Sequence, residues 1–369
     1  MKKTSSLTFK PSLVCAFLVL SMFLLIISGC QKSNHPPVLQ GDFKVVTLVA
    51  DVAGYDAARL DNVLVNAWGL AFSSGGTPWL SATGTHRSTV YTSEGLQARA
   101  PVIIPDPFAT NAGSPTGIVF NATNDFILSN GTKASFIFVG LDGVLSGWNN
   151  AFGNIAARTF NNYTNNVYTG LAISSDAGAN FLYASNFSQR RIDVFDKNFA
   201  PVSKAFIDPK LPADYSPFNI QNLGDKLYVM YAKVGPDGRD LPGQGNGIVS
   251  IFNTNGSFVK RLVSKGPLNA PWGVAIASSS FFVPDSKTGV PGEPAVLVGN
   301  FGDGRINAFS ADGEFLGAVS SGGNPVVIDG LWAISFPPTT ATTIDPNRLY
   351  FTAGPDKETH GLFGYIIKK

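Results

Sequence analysis

Along this chain the apolar positions alternate with small or polar ones at a period of two, which marks β-strands rather than helices. A motif of bulky and small residues in alternation recurs six times. It reads WGLAF (68–72), TGIVF (116–120), TGLAI (169–173), FNIQN (218–222), WGVAI (272–276) and WAISF (332–336). The motifs stand about 50 to 60 residues apart, a spacing that signals repeated supersecondary units. After each comes an apolar strand, a polar loop and another strand, as in NFLYASNFSQRRIDVF (180–195) and AVLVGNFGDGRINAF (295–309). Tight-turn pairs follow, Glu94-Gly95, Asp142-Gly143, Asn255-Gly256 and Asp312-Gly313, with a weaker one at Asn198-Phe199. Asp, Asn and Gly tolerate the positive φ of hairpin turns. A fourth strand is expected after each turn.

Six repeats of four antiparallel strands predict an all-β fold, a six-bladed β-propeller. The sixth repeat supplies only three strands, in WAISF, RLYFTA and GLFGYII. The segment DFKVVTLVAD (42–51), which precedes the first repeat, is a spare strand. It is expected to pair with the C-terminal strand, so that both chain ends build the last blade and no sheet edge stays bare.

The leading residues have another character. Lys2, Lys3 and Lys10 precede an apolar run from about Leu13 to Ile27, the layout of a secretory signal. The run is shorter than the roughly 20 residues that span a bilayer. It ends in IISGC, which resembles a bacterial lipobox and so implies cleavage before Cys30 and lipidation of its sulfur. The expected organisation is a lipoprotein signal peptide over 1–29, a polar Pro-containing tether over 30–41 and a propeller over 42–369. Cys15 and Cys30 are the two cysteines of the chain. Loss of the first and lipidation of the second leave the propeller with no thiol for a disulfide or a Cys-ligated metal.

Removing Lys2, Lys3 and Lys10 leaves 24 Lys and Arg against 25 Asp and Glu. That balance excludes the basic footprint of a nucleic-acid binder. The expected partner is a membrane, reached through lipidated Cys30 at an outer membrane or cell surface, with a monomeric propeller presented to a protein or carbohydrate.

NAWGLAFSSGGTPWLSATGTHRSTVY and LYFTAGPDKETHGLFG resemble an uncharacterised family of exported bacterial proteins, similar in turn to NHL-type six-bladed propellers. The resemblance spans most of 42–369. It implies fold and export and carries no catalytic residue.

In a propeller, the loops joining strands two to three and those joining successive blades share one face. The unusual loop sequence collects there, in GTHRS (84–88), NFSQRR (186–191), KVGPDGRDLPGQGNG (233–247), NFGDGR (300–305) and GPDKETH (354–360). Long loops on a rigid scaffold are where binding usually lives. Four sets of candidate residues follow. Asn130, Asn186 and Asn300 are read as closing the second strands of blades two, three and five. Their carbonyls present oxygens suited to calcium, as in the six-bladed lactonases they resemble, or else serve their own turns. His86 and His360 fall in corresponding loops that ring closure makes neighbours, as a base pair for hydrolysis or a metal, or as two surface loop histidines. Trp68, Trp272 and Trp332, with Phe218, hold one place in their repeats, as an aromatic collar for a flat ligand or as core between blades. Arg191 and Arg305 correspond as anion contacts or as strand flanks. No G-x-S-x-G, H-E-x-x-H or Cys/His metal pattern accompanies them. Two function classes result, a binding module on the loop-rich face and a calcium-assisted lactonase or esterase at the channel mouth. A purely structural envelope protein is a third.

Overall fold

The computed structural model describes Met1 and residues 42–278, 280–281 and 294–369. The signal beyond Met1, Cys30 and the whole of the tether lie outside the described residues. Among the described residues six blade sheets follow one another in chain order, and Ser320–Ser321 pairs with Asn324–Pro325 in a separate two-stranded ribbon. The innermost strands of the blades are Ala67–Phe72, Pro115–Phe120, Tyr168–Asp176, Tyr215–Leu223, Pro271–Ala277 and Leu331–Ser335. All six repeat motifs fall on these strands, with only Phe336 just past the end of the last.

The repeat's alternation of bulky and small residues has a packing cause. Inner strands are buried on both faces, as Ala67–Phe72 is at every position, so size rather than polarity alternates. A Cβ on Gly69 would lie 2.3 Å from Thr116 O, and one on Gly117 would lie 2.4 Å from Leu171 N. Gly170 and Gly273 meet the next blade in the same way. The glycines thus let neighbouring inner strands approach backbone to backbone. Hydrogen bonds also cross the seams between blades, Thr83 Oγ1 to Pro115 O at 2.6 Å and Thr116 Oγ1 to Tyr168 O at 2.7 Å at two of these glycine contacts, and Asn219 Nδ2 to Trp272 O at 2.8 Å between blades four and five.

The ring closes as expected. Phe43–Ala50 runs antiparallel to Leu362–Lys368, with Phe43 opposite Lys368 and Ala50 opposite Leu362. Asp51 completes the clasp by accepting from Gly361 N at 3.0 Å and pairing with His360 Nδ1 at 2.9 Å. The closing sheet carries one strand more than expected. Arg59–Leu60 adds in parallel to its outer edge, because the chain must double back over the clasp to enter blade one.

Blade two departs from the expected strand order. Asp142-Gly143 turns between the second and third strands, Phe136–Gly140 and Val144–Trp148, and the outer strand is Ala157–Asn161. Asn130 therefore lies in the connection from the first strand to the second, on the face opposite the 186–191 and 300–305 loops. The apolar FIL at 126–128 mimics a second strand. Phe126 has a positive φ of 62°, and Ile127 pairs only with Lys133 in an isolated bridge, so the stretch folds back on itself instead.

Candidate functional site

Trp68, Phe218, Trp272 and Trp332 come from blades one, four, five and six, yet all four meet. Trp68 stacks on Trp332 with centroids 3.5 Å apart, and Trp272 lies 6.2 Å from Trp68 and 5.8 Å from Trp332. Phe218 stands 6.4 Å from Trp68 and 5.8 Å from Trp332. Side chains from opposite blades make such contacts only on the propeller axis. They close the channel as a buried plug, in place of an open collar or of packing confined to one inter-blade seam. Phe301 stacks on Trp332 at 4.0 Å and extends it.

Above this plug, on the loop-rich face, lies a pocket of about 410 Å³. Trp68 and Phe218 line it from the plug, Phe187 and Leu141 from the two-to-three loops of blades three and two. Its polar side comes from two of the loops singled out in the sequence, with Arg239 and Asp240 from 233–247 and Glu358 from 354–360.

These polar groups are held by a relay. Arg239 Nη2 donates to Glu358 Oε1 at 2.9 Å, and Asn66 Nδ2 donates to Glu358 Oε2 at 2.9 Å. Asn66 Oδ1 accepts from Trp332 Nε1 at 3.1 Å, so the rim is bonded to the plug. Glu358 is delivered by an unusual backbone. Asp356, Lys357 and Glu358 are consecutive left-handed residues at φ 53°, 58° and 69°. Each costs roughly 1–2 kcal/mol in a non-glycine residue. The run is pinned by Asp329 Oδ2, which accepts from Asp356 N at 2.9 Å, and by Tyr55 O–H, which donates to Asp356 Oδ2 at 3.1 Å. Burial first and then that carboxylate push the Tyr55 phenol up to about 12. Strain over-determined in this way is characteristic of sites that position a group.

Asp240 is the group the relay leaves out. Its carboxyl has no hydrogen-bond or ion-pair partner on another side chain among the described residues. Burial, and then the negative charge of Glu358, push it up to about 6. A carboxyl so placed is charged near neutrality but readily protonated below it.

The expected calcium ligands do not assemble. Asn130 is on the opposite face, where its Oδ1 accepts from Thr132 N and Oγ1. Asn186 is buried and serves its own loop and Asp193, with Nδ2 donating to Asp193 Oδ2 at 2.6 Å. Asn300 Nδ2 donates to Pro267 O at 2.8 Å and to Asp303 Oδ1 at 3.0 Å, while its Oδ1 is buried with no partner. Among the described residues no three His, Cys, Asp or Glu side chains group as metal ligands would. These asparagines therefore do not fit a shared calcium.

His86 and His360 are tied to different partners, His86 Nδ1 to Gly113 O at 2.8 Å and His360 Nδ1 to Asp51. His360 belongs to the clasp. Arg191 is exposed and paired with Asp193 at 2.6 Å, and Arg305 is exposed at a strand end. Neither lines the axial pocket. A second hollow of about 540 Å³ lies by the clasp. Its Asp51 and Asp61 are already bonded to His360 and to Tyr91 O–H.

No family model matches the chain. It is 35% identical over 327 residues to "Uncharacterized protein R648" of Acanthamoeba polyphaga mimivirus, covering 85% of this chain and 77% of that protein. It is 34% identical over 329 residues to "Uncharacterized protein L690" of the same virus, covering 85% and 82%. These sequence relatives are viral, and they carry neither the bacterial source nor the export that the resemblance implied. Among solved structures, a Bacteroides thetaiotaomicron protein of unknown function superposes with a TM-score of 0.55 at 10% identity, covering 89% of this chain and 76% of that one. A gluconolactonase from Xanthomonas campestris gives 0.50 at 13%, covering 90% and 95%. A streptogramin B lyase gives 0.50 at 10%, covering 89% and 97%. Likeness at such identity establishes the propeller fold and nothing about the chemistry.

Proposed function

Since the chain belongs to the family of the mimivirus proteins R648 and L690 and folds as a six-bladed propeller, we propose that it is a binding module whose axial pocket takes a small ligand with a flat apolar body. The observation that carries this reading is the pocket itself. It has a rigid aromatic floor, apolar walls and a few placed polar groups, the composition of small-molecule sites. Its volume of about 410 Å³ also falls within the roughly 300–1,000 Å³ typical of them. The test is a thermal-shift and calorimetric panel of small aromatics and sugars on the full chain, with Leu141→Arg placed to fill the pocket mouth. A ligand that stabilises the wild type and not Leu141→Arg supports the reading. Equal binding by both places the ligand elsewhere and ends it.

Asp240 favours a second reading, a hydrolase of the lactone or ester class. A carboxyl held near 6 inside a pocket has the pKa wanted of a general acid or base, and one structural neighbour is named a gluconolactonase. Turnover of simple lactones or esters that disappears in Asp240→Asn supports it. Turnover that survives the substitution removes Asp240 from the chemistry.

The leader and IISGC lead us to infer further that Cys30 is lipidated and tethers the propeller to a bacterial envelope membrane, facing a protein or carbohydrate partner as a monomer. Fatty-acid labelling and membrane fractionation test this. Label and membrane partitioning unchanged in Cys30→Ser would end it.

A further inference from the structure

Resting on the reading of the axial pocket as a ligand site, we infer that its ligand is an organic cation, an ammonium or guanidinium carried on a flat apolar body. Three charged groups face the pocket, one positive and two negative. The charge of Arg239 is offset by Glu358, whose Oε1 accepts from it at 2.9 Å, so the three groups together leave the pocket one negative charge in excess. Glu358 is itself held, since its other oxygen accepts from Asn66. Asp240 remains as a carboxylate with no partner side chain among the described residues, relieved only by its own backbone N–H and by the charge of Arg239, beside Trp68, Phe187 and Phe218. A half-buried carboxylate is costly until a counter-charge reaches it. Aromatic faces attract a cation and offer an anion little.

The same groups argue against a bare metal ion as the occupant. Calcium takes six to eight oxygens, and here both Glu358 oxygens are bonded while much of the wall is apolar. An organic cation needs one carboxylate and aromatic surface, which is what the pocket provides. Because Glu358, Arg239 and Asp237 are the charged groups acting on Asp240, a bound cation favours its ionised form. Binding therefore releases a proton near pH 6, and affinity falls about tenfold from pH 7 to pH 5 as the carboxyl protonates.

The experiment is calorimetry on the full chain with four matched probes, phenethylamine, benzyltrimethylammonium, 2-phenylethanol and phenylacetate. The two cations are expected to bind at least tenfold more tightly than the alcohol or the acid at pH 7.5. Asp240→Asn, checked for a wild-type circular dichroism spectrum, is expected to lose at least tenfold for the cations and little for the alcohol. Arg239→Ala frees Glu358 and is expected to tighten cation binding. Preference for phenylacetate or 2-phenylethanol, an unchanged cation affinity in Asp240→Asn, or no binding by either cation overturns the inference. If the alcohol or acid binds the wild type but not Leu141→Arg, the pocket remains a ligand site and only its charge preference is refuted.

Discussion

Asn66 donates to Glu358 at 2.9 Å across 292 positions of sequence, and its carbonyl accepts from the indole of Trp332 at 3.1 Å. One buried amide thereby joins the entry of blade one, the strained loop of blade six and the aromatic plug. Asn66 itself is left-handed at φ 50°, a conformation that asparagine tolerates better than most residues.

Asn66→Ala strands the Trp332 N–H and one Glu358 oxygen and keeps an unfavourable backbone. The expected loss is roughly 1–3 kcal/mol, from the buried groups left unpaired. Chemical denaturation measures it, and an unshifted midpoint would show that the relay contributes nothing to stability.

Deleting residues 42–51 removes the strand that covers the Leu362–Lys368 edge. The shortened chain is expected to unfold or to associate through the bared edge. Light scattering and thermal melting report it. A monomer that melts like the full chain contradicts the clasp.

Gly69→Ala puts a methyl 2.3 Å from Thr116 O, with Ile118 also close. The inner strands of blades one and two must then part, at a cost of about 1–3 kcal/mol. Thermal unfolding checks the loss, and a crystal structure with unchanged strand separation would refute the close-approach role.

Asp240 gives a pH signature apart from any ligand. Its carboxyl is raised to about 6 in the folded state. The stability it contributes is therefore present below the ordinary carboxylate range and is lost as pH rises through 6. Asp240→Asn is expected to melt roughly 1–4 °C higher than wild type at pH 7.5 and alike at pH 4. A variant less stable at pH 7.5 would mean that Asp240 has an unrecognised partner.

The clasp was legible because strand 42–51 precedes the first repeat as a spare, while the strand at 361–367 pairs with Leu349–Ala353 on one side and has no fourth strand in its own repeat to cover the other. The loop-rich face was legible for a similar reason, since Gly, Pro and charged residues accumulate in 233–247 and 354–360. Asp240, Arg239 and Glu358 were not singled out within those loops. Nothing in local sequence marks three consecutive left-handed residues, or tells which of two adjacent charges will find a partner. Asn130 shows the opposite error. NGTKA looks like a two-to-three loop because FIL before it looks like a strand, and only pairing with Pro115–Phe120 shows that 136–140 wins that place.

By itself the sequence determined the number of blades, the identity of each inner strand and the closure of the ring, because those follow from side-chain periodicity and from the need to pair every edge. The tertiary structure alone decided that four aromatic residues would meet on one axis as a plug, and that Asp240 would stand above them with no partner side chain among the described residues. The reason is geometric. Which side chains share a centre, and which charge is left over, depends on distances between residues far apart in the chain, and no local pattern encodes them.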